Sequence, residues 1–156
     1  MIVEIVKGDI LDQQVEVIVN AWNRNIIPWW LLIPQGVSGA IKKRGGYQPF
    51  RELARLGPIP VGTAVVTGAG RLPFKAIIHV AGINMLWFSS EKIVRKCVAS
   101  ALTLATEKDF RSIAMPLIGA GTGGLSSDKV LHIMRDEAVS HPYPGKRLLV
   151  VYEKSR

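Results

Sequence analysis

The densest chemical signal in the chain is Pro116-Leu117-Ile118-Gly119-Ala120-Gly121-Thr122-Gly123-Gly124, between an apolar run and an amphipathic one. Four glycines in the six residues 119–124 let the backbone turn tightly and point several N–H groups one way. Followed by a helix N-terminus, such a turn is a phosphate cradle. The same glycines would also serve a tight turn with no ligand. Gly119, Gly121 and Gly124 formally fit GxGxxG, but that pattern asks for an acid about 20 residues later. No Asp or Glu lies between Ala138 and Tyr152. A P-loop asks for Lys and then Ser or Thr after its last glycine, and Leu125 stands there. Neither dinucleotide oxidoreduction nor nucleoside triphosphate hydrolysis is expected.

Gly36-Val37-Ser38-Gly39-Ala40 is one residue short of the GxSxG nucleophile elbow, with Ala40 in place of the last glycine. A base would have to come from His79, His132 or His141. His79 lies in an apolar run and reads as a satisfied core histidine. His132 falls on the polar side of a helix, and His141 precedes Pro142 in a turn. No HExxH and no Cys/His cluster points to a metal. Asp9, in Gly8-Asp9-Ile10, suits a turn. Asn20 and Asn23 close an apolar run, and a buried Asn20 would need its amide satisfied.

Alternating and periodic hydrophobicity supplies the elements that position these residues. Residues 2–6, 15–21, 63–69, 75–82, 112–118 and 147–152 read as strands; 15–21 is nearly all apolar, as a strand covered on both faces would be. Residues 36–46 and 49–57 read as short helices, each stopped by glycine. Residues 89–109 form the clearest helix, with Ser89 or Ser90 as cap, and 126–140 a second, capped by Ser126 or Ser127. The first two strands follow each other without a helix, and later strands alternate with helices. That predicts an α/β fold with a mixed, mostly parallel central sheet and helices on both faces. Ligands of such sheets bind beyond the carboxyl ends of the strands.

The 156 residues suit one domain, 1–156. A lone cysteine, Cys97, allows no internal disulfide, and a cytoplasmic setting is expected. The first ten residues lack the apolar run of a secretory leader, and the longest apolar stretch, 26–34, holds two prolines, so no membrane association is expected. Net charge is +8, concentrated in residues 17–75, where eight Lys/Arg face one acid, Glu52. Such a field suits a phosphate-bearing partner, and equally serves solubility.

In order, GDI at 8–10, VNAWN at 19–23, GVSGAI at 36–41, LPFKAIIHVAG at 72–82 and AMPLIGAGTGGL at 114–125 resemble the macrodomain family, the ADP-ribose-binding modules. The resemblance spans about residues 2–152 and implies a three-layer α/β/α sandwich. It implies that Asp9 accepts from the adenine amino group with Ile10 beside it, and that Tyr152 stacks on adenine. Asn20 and Asn23 match the family's paired asparagines, with Asn23 facing the distal ribose. Gly36, Val37 and Ser38 would border the diphosphate and distal ribose. Gly119, Ala120, Gly121, Thr122, Gly123 and Gly124 would wrap the diphosphate through backbone N–H groups. No cofactor or metal is implied.

Three departures from the family pattern matter. Ser38 stands where hydrolytic members carry an aspartate, and a hydroxyl is no base near pH 7. Gly123 stands where an aromatic often follows. Residues 24–35 are hydrophobic instead of glycine-rich; Trp22, Trp29 and Trp30 place three of the four tryptophans within nine residues. That stretch would fill a gap, cover the ribose side of the crevice, or serve association through Trp29 and Trp30. The expected function is binding of ADP-ribose, free or on an ADP-ribosylated protein or nucleic acid. Hydrolysis of an ADP-ribosyl ester or O-acetyl-ADP-ribose, with water held by Asn23 and the substrate's own diphosphate and Ser38 assisting by hydrogen bonding, stands beside binding without turnover. A basic nucleic-acid-binding domain is the third reading.

Overall fold

A computed structural model describes residues 3–22, 36–82, 89–120 and 124–153. Asn23, Gly121, Thr122, Gly123, Trp29 and Trp30 lie outside the described residues. In chain order the elements are β1 (Val3–Gly8), a 3-10 turn (Ile10–Asp12), β2 (Val17–Trp22), α1 (Gly36–Gly45), α2 (Gln48–Arg55), β3 (Ala64–Thr67), β4 (Ala76–Ala81), α3 (Glu91–Glu107), β5 (Ser112–Pro116), α4 (Ser127–Ser140) and β6 (Lys146–Tyr152). The strands make one sheet in the order β1-β6-β5-β2-β4-β3. Every pairing is parallel except β3 with β4. The expected mixed, mostly parallel sheet between two helical layers is present. β1 and β2, consecutive in the chain, are nevertheless separated by β6 and β5.

Each face of the sheet has its own apolar layer. Val17 and Val19 of β2, Ile78 and Val80 of β4 and Met115 of β5 pack under α3 and α4, against Val98, Leu102 and Met134. The alternate residues, Ile18, Ile77, Ala81 and Ala114, pack under α1 and α2, against Ile41, Phe50 and Leu53. Such two-sided burial is why the β2 and β4 sequences read as nearly unbroken apolar runs. The period-2 alternation also sends Asn20 and His79 toward the α1–α2 layer, with Ile18 and Ile77.

The helix ends follow local chemistry. Ser90 Oγ accepts from the Ile93 N–H and caps α3, and Ser126 Oγ accepts from the Lys129 N–H and caps α4. α1 ends at Gly45, followed by Gly46 with a positive φ of 83°. Arg95 of α3 pairs with Glu91 one turn earlier, and also reaches Asp136 at 2.8 Å and Glu137 at 3.4 Å on α4. No described helix is long and apolar enough to cross a membrane.

Buried Arg147 ties the last turn of α4 to β6. Its guanidinium donates to the carbonyls of Ala138 at 2.6 Å, His141 at 3.0 Å and Tyr143. The Tyr143 hydroxyl in turn donates to the Phe110 carbonyl at 2.6 Å. Carbonyls at a helix C-terminus have no partner within the helix, so a buried cation is well placed there. Arg147→Met keeps the stem and removes the donors. It is expected to lower stability by about 3 kcal/mol, read as an earlier urea midpoint.

Candidate functional site

β1, β2, β5 and β6 run parallel, so Gly8, Trp22, Pro116 and Tyr152 all end at one edge of the sheet. At that edge β2 and β5 part company. β2 pairs with β4 over its full length, from Val17–Ala76 to Trp22–Ala81. It pairs with β5 only at Val17–Ile113 and Ile18–Ala114. The chain after β2 leads to α1 on one face, and the chain after β5 leads to α4 on the other. Connections that leave neighbouring strands toward opposite faces open a crevice between them, the usual ligand position in sheets of this kind.

At the β1–β6 end, Gly8 and Tyr152 are register partners, and the Glu153 N–H donates to the Gly8 carbonyl at 3.1 Å. Asp9 and Tyr152 are thereby brought together, with Tyr152 70% exposed. Asp9 Oδ1 accepts from the Leu11 N–H at 2.9 Å and caps the 3-10 turn. Its second oxygen lies 3.8 Å from Arg44, which also pairs with Asp12 at 3.3 Å. Asp9 is both a turn residue and a partly open acceptor. Ile10 is 4% exposed, its side chain held in the apolar layer under α1.

Near the carboxyl end of β2 sits a connected polar group. Asn20 and His79 are register partners on β2 and β4, both fully buried. Asn20 Oδ1 accepts from Ser38 Oγ at 2.7 Å, and Asn20 Nδ2 lies 3.1 Å from His79 Nδ1. His79 Nε2 lies 2.8 Å from Thr67 Oγ1. The amide of Asn20 is satisfied, as its burial requires. Burial pushes the His79 imidazole down to about 3, so the ring is neutral. Ser38 belongs to the first turn of α1, opened by Gly36 at φ 60°, and Val37 packs on the α1–α2 layer. Ser38 donates to an asparagine and to no histidine, so the nucleophile-elbow geometry is absent.

The glycine loop after β5 is described up to Ala120 and again from Gly124. Gly119 has φ 83°, and a Cβ there would lie 2.7 Å from Ser89 Oγ and 2.9 Å from Ser89 Cβ. Gly119 is therefore required by the fold itself. Ala120 and Leu125 form a bridge that closes the loop at its base, and Gly124 also has a positive φ, 84°. The sequence marks His79 as a candidate base or a core residue and gives no signal at Thr67 or Lys42. Lys42 is buried, its ammonium 4.9 Å from the Phe50 ring and 5.4 Å from Trp22. The available signal was one polar residue in each of two apolar strands, Asn20 and His79, whose pairing register could not be read from either strand alone.

A neutral buried histidine makes stability depend on pH. The unfolded chain takes up the proton near 6.5 and the folded chain only near 3, so this contribution is complete above 6.5 and lost as pH falls toward 3. The slope is about 1.4 kcal/mol per pH unit at most. Urea midpoints are expected to drop between pH 6.5 and 4, with the His79 ring resonances holding their neutral positions while the protein stays folded.

Comparison with known proteins agrees with this architecture. The model of the Macro domain family matches residues 19–134. A macro domain-containing protein of Listeria monocytogenes is 39% identical over 147 residues, which cover 86% of this chain and 80% of the relative. An uncharacterized protein of Aquifex aeolicus is 38% identical over 138 residues, 88% of this chain and 81% of the relative. A variant of the Oceanobacillus iheyensis macrodomain, solved with ADP-ribose, superposes with a TM-score of 0.77 at 28% identity, over 99% of this chain and 86% of its own. The Trypanosoma brucei macrodomain in complex with ADP-ribose gives 0.78 at 25% identity, over 97% of this chain and 64% of its own. Family model, relatives and three-layer fold agree: the chain belongs to the macro domain family.

Proposed function

We propose that this chain, as a single macro domain over 1–156, binds ADP-ribose, free or attached to a macromolecule, in the crevice at the carboxyl edge of its sheet. The observation that carries the reading is linear order. The residues matched to adenine, Asp9 and Tyr152, sit at β1 and β6; those matched to the diphosphate follow β5; Asn23, matched to the distal ribose, follows β2 in the chain, and Ser38, matched to its border, lies in α1. The order β1-β6-β5-β2 of the strands that lead to these groups supports a ligand laid out as adenine, diphosphate, ribose. Three strand spacings amount to about 14 Å, a distance that an extended nucleotide sugar spans. The chain order of the same elements is different, so the match is a property of the fold. Solved macrodomains with ADP-ribose bound support the same ligand.

Binding without turnover fits the described residues better than hydrolysis. Ser38 brings a hydroxyl where a carboxylate would act as base, and its proton is directed at Asn20. His79 is neutral and held on both nitrogens. Incubation with O-acetyl-ADP-ribose and with an ADP-ribosylated protein, followed by mass analysis, is expected to return both unchanged. Appearance of ADP-ribose above the buffer control makes the protein a hydrolase.

The adenine end gives a sharper test. Asp9→Ala would remove the cap on the 3-10 turn as well as the ligand contact, so Asp9→Asn is the cleaner change. It keeps an acceptor for the Leu11 N–H and turns the second oxygen into a donor. Calorimetry is expected to show ADP-ribose binding weakened by about 1–3 kcal/mol, the cost of a lost hydrogen bond to a charged group. Unchanged affinity removes Asp9 from the site.

A further inference from the structure

Four side chains form an unbroken line of hydrogen bonds from the first turn of α1 across three strands. Ser38 Oγ meets Asn20 Oδ1 at 2.7 Å, Asn20 Nδ2 meets His79 Nδ1 at 3.1 Å, and His79 Nε2 meets Thr67 Oγ1 at 2.8 Å. Thr67 Oγ1 then meets the Gly68 carbonyl at 3.0 Å. Gly68 is held in place by its own N–H, which donates to Glu52 Oε2 of α2 at 2.8 Å.

Every member of this line but the last can run in either direction. A hydroxyl rotates, an amide flips, and a neutral imidazole has two tautomers. A carbonyl oxygen only accepts. Gly68 therefore takes the proton of Thr67, and Thr67 accepts from His79 Nε2–H. The neutral ring has one proton, so Nδ1 is bare and accepts from the Asn20 amide nitrogen. Asn20 Oδ1 is left to accept from Ser38. The proton of Ser38 points inward, and its lone pairs are left for the crevice. Among the described residues this is the one hydrogen bond that the Ser38 side chain makes.

We propose that Thr67 and His79, anchored on the Gly68 carbonyl, are positioning residues that hold Ser38 as a hydrogen-bond acceptor, so that its subsite selects a ligand group that donates, a sugar hydroxyl, over one that only accepts. The identity of that hydroxyl, on the distal ribose, rests on the ADP-ribose reading. Burial supports the arrangement by keeping His79 neutral down to about 3, since a doubly protonated ring would donate both ways and break the line. Ser38 thus keeps the accepting character of a carboxylate without its charge or basicity. If the line only satisfied buried groups, its direction would be without consequence for ligand choice.

Thr67→Val deletes the far acceptor at nearly constant shape. The buried Nε2–H is then orphaned, a costly state, and the proton shifts to Nδ1. Asn20 flips, and Ser38 turns its proton outward. Thr67→Ser keeps the hydroxyl. Ring nitrogen spectra are expected to show His79 protonated at Nε2 in the native protein and in Thr67→Val protonated at Nδ1, with Thr67→Ser native-like. The preference for ADP-ribose over ADP is expected to fall about fivefold in Thr67→Val, the worth of one neutral hydrogen bond, with ADP affinity held and Thr67→Ser restoring the preference. An Nδ1-protonated ring in the native protein overturns the proposal whatever the variants do. So does an unchanged preference in Thr67→Val, or an equal loss for both ligands, which marks structural damage. If the native protein binds neither ligand, the ADP-ribose reading fails, while the native tautomer still decides the direction of the line.

Discussion

β2 is shared unequally between its neighbours, and the candidate site follows from that. It pairs with β4 along all six of its residues and with β5 along two. Beyond Ile18 one side of β2 has no ladder partner in β5, and β2 and β5 send their connections to opposite faces. A parallel sheet with helices on both faces cannot avoid such a place where its connections diverge. Here it coincides with the glycine-rich turn after β5 and the N-terminus of α1.

The same strand explains the polar line behind the crevice. A strand buried on both faces tolerates a polar side chain only when its polar atoms are hydrogen-bonded. Asn20 meets that condition through His79 on one side and Ser38 on the other. His79 is satisfied in turn by Thr67 and kept neutral by its burial. Structural necessity and ligand choice are coupled, because the bonds that make Asn20 tolerable also orient the hydroxyl of Ser38. Networks of this kind stabilise only when complete, which makes the tautomer of one histidine a readout of the whole line.

Local elements were legible because their signals are local. The period of α3, its serine cap and the alternation in the strands all lie within single segments, and the helices and strands appear within about two residues of where the pattern puts them. Sheet order was not legible. β1 lies against β6, nearly the whole chain away, and nothing in either strand names its partner. The pairing of Asn20 with His79 depends on that same non-local register. The sequence suits Asp9 to a turn or to a ligand contact; in the structure one oxygen caps the turn and the other lies near Arg44. Gly119 carries a structural demand, set by Ser89 packing against it, that the sequence could not separate from a phosphate-binding one. The assignments to Asn23, Gly121, Thr122, Gly123 and the Trp29–Trp30 segment fall outside the described residues.

The central claim is that one ligand lies along the carboxyl edge of the sheet from β1 to β2. Titration of the isotope-labelled protein with ADP-ribose, followed by amide chemical shifts, tests it directly. The account predicts saturable changes at Asp9, Ser38, Gly119 and Tyr152 together, with Glu16, Lys75 and Arg111 at the opposite edge unmoved. No saturable change, or changes confined to the basic residues Lys43, Arg51 and Arg55 that fade with added salt, would contradict it and favour a general polyanion-binding surface.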